Sequence, residues 1–233
     1  MKKSLFIICF LAITSATFAQ KKSKKDYLIT LKTTHGTMHM VLFDDTPLHK
    51  ANFIKLVDKK FFDSLLFHRV IDGFMIQGGD PNSRNAKPGE SLGHGGGDME
   101  RIPYEFTSKH VHKKGALAAA RDNNPEKKSS ACQFYIVQGK KMTDEELSVV
   151  ASRNHMDYTN EQRADYIGIG GTPRLDNNYT VFGEVIDNIG VIDSIATQAR
   201  DAADRPLKDV KMAMTVKKMK KKKITKLYGY KYQ

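Results

Sequence analysis

Tryptophan is absent from this chain of 233 residues, and cysteine occurs only twice, at Cys9 and Cys132. Cys9 lies in an amino-terminal apolar run that reads as removable, which leaves one thiol and excludes an intramolecular disulfide. The fold must then rest on its core alone. Cys132 precedes the apolar stretch Gln133-Phe134-Tyr135-Ile136 and reads as a buried, inert thiol rather than a nucleophile. There is no CxxC and no HExxH, so the compact zinc motifs are excluded. His110-x-His112 is too little for a metal site, and no metal or cofactor is expected. The longest apolar run, Leu5 to Ile13, is too short to span a bilayer. Acidic residues are also in deficit: 26 against 38 basic ones, for a formal charge of +12.

What is present divides the chain into four parts. Residues 1–19 have the grammar of a signal peptide, with Lys2 and Lys3, the apolar run, and the small residues of Ser15-Ala16-Thr17-Phe18-Ala19 for cleavage after Ala19. Export is therefore expected, to the periplasm first and to the exterior as the other possibility. Residues 20–26 form a short basic leader. Residues 27–216 are long enough for one well-buried domain. Residues 217–233 form a lysine-rich tail with Lys217, Lys218, Lys220, Lys221, Lys222, Lys223 and Lys226. A solvated, mobile tail is the plain reading of such a run; contact with an anionic surface is the other, and no specific nucleic acid is expected.

Within the domain, Tyr27 to Lys32 and Gly36 to Phe43 read as a strand hairpin around Thr34-His35-Gly36. Thr46-Pro47 reads as a helix start, with a hydroxyl at the N-cap and Phe53, Leu56 and Val57 as the buried stripe. Asn82 to Met99, including Gly93-His94-Gly95-Gly96-Gly97-Asp98, reads as a flexible loop. Gly115 to Ala120, Gln133 to Gln138, Tyr179 to Ile186 and Val210 to Val216 read as further strands, and Asn188 to Ala196 as a second short helix. Many short strands with two core helices point to a closed barrel filled by side chains. Lys140 to Gly170 does not fit a plain barrel. Its two capping boxes, Thr143-x-x-Glu146 and Thr159-x-x-Gln162, mark a helical insertion.

The most informative stretch runs from Phe67 to Pro81, Phe-His-Arg-Val-Ile-Asp-Gly-Phe-Met-Ile-Gln-Gly-Gly-Asp-Pro. It reads as two short strands around an Asp-Gly turn. Alternation places Phe67 with Arg69 on one face, and Phe74 with Ile76 and Gly78 on another. A permanently charged planar donor beside apolar side chains suits a substrate that is half apolar and half amide. This run closely resembles the signature of the cyclophilin peptidyl-prolyl isomerases. Gly115 to Arg121 with Ala131 to Ile136 is similar to that family's second block, and Leu175 to Val185 to its third, in the family's order.

The resemblance implies a mainly β fold, a closed eight-stranded antiparallel β-barrel capped by two α-helices, with the insertion added to it. It implies peptidyl-prolyl cis–trans isomerisation assisting the folding of exported proteins, on proline-containing unfolded or flexible polypeptides, by a monomer. It assigns Arg69 the catalytic role. Phe74, Met75, Phe134, Leu175 and Tyr179 would line the proline pocket, with Tyr135 beside them. Gln77 and Gln133 would hydrogen-bond the flanking peptide, and backbone groups near Ala120 and Arg121 would align it. Four positions depart from the family pattern. Arg121 replaces an asparagine, and Arg174 stands where many eukaryotic members have tryptophan. Tyr179 replaces a histidine common in those members, as it does in many bacterial ones, and Cys132 replaces a serine, with little consequence expected. The competing readings are a non-catalytic module that holds X–Pro segments on the same barrel, and an electrostatic surface binder built on the tail. Export itself has a direct check: the mature protein should begin at Gln20 by mass spectrometry, and a chain that keeps Met1 would refute cleavage.

Overall fold

The computed structural model describes residues 23–232. The signal peptide expected over residues 1–19, and the start of the leader, lie outside the described residues. The sheet strands are β1 (Lys25–Thr33), β2 (Gly36–Leu42), β3 (Phe67–Ile71), β4 (Met75–Gly78), β5 (Ala116–Ala119), β6 (Phe134–Val137), β7 (Val181–Asp187) and β8 (Met212–Lys220). They form one antiparallel sheet in the order β3-β4-β6-β5-β7-β2-β1-β8. The helices are α1 (Pro47–Asp58), α2 (Asp144–Asn154), α3 (Asn160–Gly168), α4 (Gly190–Ala196) and α5 (Lys221–Tyr228).

The expected closed barrel does not form. The sheet curls but stays open between β3 and β8, whose approaching ends share the bridge Leu66–Lys211 and a few backbone bonds such as Phe67 N–H to Val210 C=O at 2.9 Å. Without a continuous ladder between the edges there is no closure. The concave face is nevertheless filled as a barrel interior would be. Ile29, Leu31, Met38, Met40, Phe67, Ile76, Leu117, Phe134 and Met214 converge there, and α1 and α4 plug it with Phe53, Leu56, Val57, Ile192 and Ile195. Phe134 meets Phe53 and Phe62 edge-on, with ring centroids 5.6 and 5.5 Å apart. Such pairs each add about 0.5–1.5 kcal/mol beyond burial.

The N-terminus of α1 shows how local rules yield to tertiary contacts. Thr46 does not cap it; its hydroxyl donates back to the Phe43 carbonyl at 3.3 Å. The cap is the Glu105 carboxylate, which accepts from the Leu48 and His49 amides at 3.0 Å each and bonds the His49 ring at 2.6 Å. A carboxylate there satisfies orphan amides and complements the helix dipole. By contrast, α2 and α3 start as their sequences read: Thr143 accepts from the Glu146 amide, Thr159 from the Gln162 amide, and both reciprocal bonds are present. The insertion leaves and rejoins the sheet at one point, where Lys140 and Gly171 exchange backbone bonds of 3.2 and 3.0 Å.

The lysine-rich segment, expected as a mobile tail from Lys217, is regular structure. Lys217 to Lys220 continue β8 along β1, and the chain then turns into α5, whose Ile224 is fully buried. Ile224 packs with Leu28 and Val41 on the convex side of the sheet, together with Tyr228, Tyr230 and Tyr232. The glycine run read as a flexible loop is likewise pinned: Gly93 N–H donates to the Asp80 carboxylate, and a Cβ on Gly95 or Gly96 would collide with Asp80 or with the Cys132 sulfur. Among the described residues no helix is long and apolar enough to cross a membrane.

Candidate active site

The site begins with a β-bulge. Phe67 pairs with Gly78 and Arg69 with Gln77, so His68 is an extra residue in β3. A bulge bends a strand and re-aims its side chains. Phe67 points into the core, but Arg69 does not share its face, as plain alternation had it. Its side chain is 42% exposed, and it sits directly across from Gln77.

That pairing starts a relay. Arg69 Nη1 donates to Gln77 Oε1 at 3.3 Å, Gln77 Nε2 donates to Gln133 Oε1 at 3.1 Å, and Gln133 Nε2 donates to the Gly93 and Gly95 carbonyls at 2.9 and 3.0 Å. On its other side, the Arg69 Nε lies 3.7 Å from the Asp204 carboxylate. The guanidinium is thus held in place while donors remain free to reach a ligand.

Next to the relay is an apolar wall on the sheet's convex side. Met75, Ala120, Tyr135 and Val181 are buried in it, with Phe74, Leu175 and Tyr179 packed against them half-exposed. Of the pocket residues expected from sequence, Phe74, Met75, Tyr135, Leu175 and Tyr179 come together. Phe134 does not: it is 1% exposed and faces the aromatic core. The signal was available in the alternation of β6, where Phe134 and Ile136 go inside while Tyr135 and Val137 go to the wall. Phe74 likewise belongs to the wall and Ile76 to the core, contrary to their expected shared face. Ala120 also offers less than expected, because its N–H donates to Gln133 C=O at 3.0 Å and its C=O accepts from Ser130 N–H at 2.8 Å.

A family model for the cyclophilin-type peptidyl-prolyl cis–trans isomerases matches residues 28–217. The chain belongs to the cyclophilin family. This cyclophilin is 33% identical over 183 residues to a peptidyl-prolyl cis–trans isomerase of Staphylococcus haemolyticus, covering 78% of this chain and 86% of that one. It is 36% identical over 187 residues to a bifunctional phosphatase/peptidyl-prolyl cis–trans isomerase of Streptococcus pyogenes, covering 78% of this chain but only 37% of that longer protein. Among solved structures, a cyclophilin-type isomerase of Cryptosporidium parvum, crystallised in the presence of the dipeptide Ala-Pro, shares the fold. Its TM-score is 0.58 at 19% identity, over 82% of this chain and 98% of that one.

Two of this cyclophilin's departures from the family pattern meet the pocket's aromatic rings. The Arg174 guanidinium lies 4.4 Å from the centre of the Phe74 ring, and that of Arg121 lies 4.7 Å from the Tyr179 ring. Arg121 also donates to the Asn178 and Asp122 carbonyls at 3.0 and 3.1 Å. Each cation therefore covers an aromatic face. Tyr135, His112 and Asp176, buried behind the wall, were not read as a unit from sequence. Their order in the chain gives no hint of it. His110 and His112 turn to different carboxylates, Asp45 and Asp176, both at 2.6 Å.

The bulge residue His68 is 4% exposed, and neither ring nitrogen has a protein partner. Burial pulls its pKa down to about 4, against the opposing pull of Asp80. Burial also pushes the Cys132 thiol up to about 11, so it stays protonated at neutral pH. A depressed histidine pKa means that the unfolded chain takes up a proton near pH 6.5 that the folded chain refuses until about pH 4. Stability should be complete above pH 6.5 and fall by about 2 kcal/mol on lowering the pH to about 5. His49, also depressed by burial, adds in the same direction. Urea unfolding at neutral pH and near pH 5 measures this, and a His68→Gln variant should lose most of the slope; an unchanged slope would refute the assignment.

Proposed function

We propose that this cyclophilin accelerates rotation about X–Pro bonds in exported polypeptides, with Arg69 as the catalytic residue. The amide barrier is about 18–20 kcal/mol, yet the isomers differ by only about 0.5–1 kcal/mol, so uncatalysed exchange takes roughly 10–100 s. No bond is broken. What is needed is a grip on the proline ring and a donor that favours the twisted amide over the planar one. The apolar wall of Phe74, Met75, Tyr135, Leu175 and Tyr179 provides the grip. The Ala-Pro dipeptide present with the Cryptosporidium relative is the kind of ligand that such a wall would take.

The observation that carries the role of Arg69 is its relay through Gln77 to Gln133. The guanidinium is fixed before substrate arrives, so little reorganisation is needed as the prolyl nitrogen loses conjugation and gains a lone pair. The second N–H of the Gln77 side chain and the spare lone pairs on the Gln77 and Gln133 side-chain oxygens would bond the flanking peptide, since both Gln133 amide donors are taken by Gly93 and Gly95. The amino-terminal signal supports export, to the periplasm in the first instance. The lysines of β8 and α5 would let the protein rest against an anionic surface; Lys221 is tied to Asp44 at 3.0 Å, while Lys222, Lys223 and Lys226 are exposed.

Arg69→Ala should lower turnover of a short X–Pro peptide by roughly 10²–10³ while the protein stays folded, comparable to removal of one preorganised donor elsewhere. NMR exchange spectroscopy on wild type and variant measures it. Full activity in the folded variant would overturn the role of Arg69, and X–Pro binding without turnover by wild type would favour the holding module.

A further inference from the structure

The most completely satisfied polar group behind the pocket is Asp176, 2% exposed. Its Oδ1 accepts from the His112 backbone amide at 2.9 Å and bonds His112 Nδ1 at 2.6 Å. Its Oδ2 accepts from the hydroxyls of Tyr158 at 2.6 Å and Tyr166 at 2.7 Å. An ionised carboxylate has about four acceptor sites, and here four donors fill them. Burial without those donors would be very costly. Burial and the adjacent Asp176 charge hold both tyrosine hydroxyls well above their ordinary pKa, so they remain donors.

The other end of the network is the pocket. His112 bonds Asp176 through Nδ1, and its Nε2 lies 2.9 Å from the Tyr135 hydroxyl. The hydroxyl is thereby turned away from the pocket, which leaves the ring for proline. Asp176 also directly follows Leu175, a second wall residue. Tyr158 and Tyr166 both come from the inserted segment, Tyr158 between α2 and α3 and Tyr166 within α3. The last residue of α2 adds a further tie, as Asn154 Nδ2 donates to the Pro173 carbonyl at 2.8 Å.

We infer that the insertion is a pocket latch: Tyr158 and Tyr166 are positioning residues that fix Tyr135 and Leu175 through Asp176 and His112. This rests on the isomerase reading of the cleft and extends it to substrate affinity. The latch acts on the shape of the proline pocket and leaves the Arg69 relay alone, because the side chains of Tyr158, Tyr166, Asp176 and His112 share no hydrogen bond with Arg69, Gln77 or Gln133. It should therefore act on KM and hardly at all on kcat.

The test uses the full chain carrying Tyr158→Phe and Tyr166→Phe together, which keeps both rings and removes both hydroxyls. KM for a short X–Pro peptide should rise about 3–10-fold, as expected for lost bonds to a charged acceptor, with kcat within about twofold. Should the double variant fail to fold, Tyr158→Phe alone, at the more exposed end of the network, should still raise KM about twofold. A folded variant with unchanged KM, or one that loses kcat at constant KM, would overturn the latch. A purely structural role would lower the unfolding midpoint without moving KM. Wild-type turnover in the same series separates the two readings: its absence refutes the isomerase, whereas its presence with an unchanged KM refutes the latch only.

Discussion

The two-residue alternation of β4 and β6 is the constraint on which core and cleft both depend. Each strand sends one side chain into the concave interior and the next to the convex wall, so Ile76 and Phe134 pack the core while Met75 and Tyr135 build the pocket. Slipping either strand by one residue would bury the pocket residues and expose the core. In β3 the bulge at His68 breaks the alternation, and it is what brings Arg69 opposite Gln77. A rigid, well-filled interior thus holds a site that lies entirely on the outside of the sheet.

The charges around that site fall into two kinds. Arg69, Arg121 and Arg174 are held at the cleft by neutral amides, carbonyls and aromatic faces more than by ion pairs. Asp176 is the opposite case, an anion withdrawn from water and saturated by donors. The first arrangement leaves positive charge un-neutralised at the cleft. The second spends its charge internally and yields rigidity.

Much of this was legible in the sequence because it is local. The capping boxes of α2 and α3, the stripe of α1, the Asp-Gly turn and the three cyclophilin blocks are contiguous patterns, and the structure contains the elements they announce. What was not legible depends on partners distant in sequence. Glu105 displaces Thr46 as the cap of α1 from 57 residues beyond Leu48. Sheet closure failed because strand count says nothing about whether the two edges find a register. The lysine run looked like a tail because its charge outweighs the few apolar residues, Ile224 and the tyrosines that follow it, that anchor it. Phe134 was misplaced because family blocks record residue types, whereas the strand decides which face each one takes.

The most direct test of the central claim is exchange spectroscopy on a short X–Pro peptide with catalytic amounts of the full protein. The peptide alone exchanges in roughly 10–100 s and gives no cross-peaks at sub-second mixing. Catalysis by this cyclophilin predicts cis–trans cross-peaks within that window. A folded protein that shifts the peptide resonances yet gives no cross-peaks would contradict it.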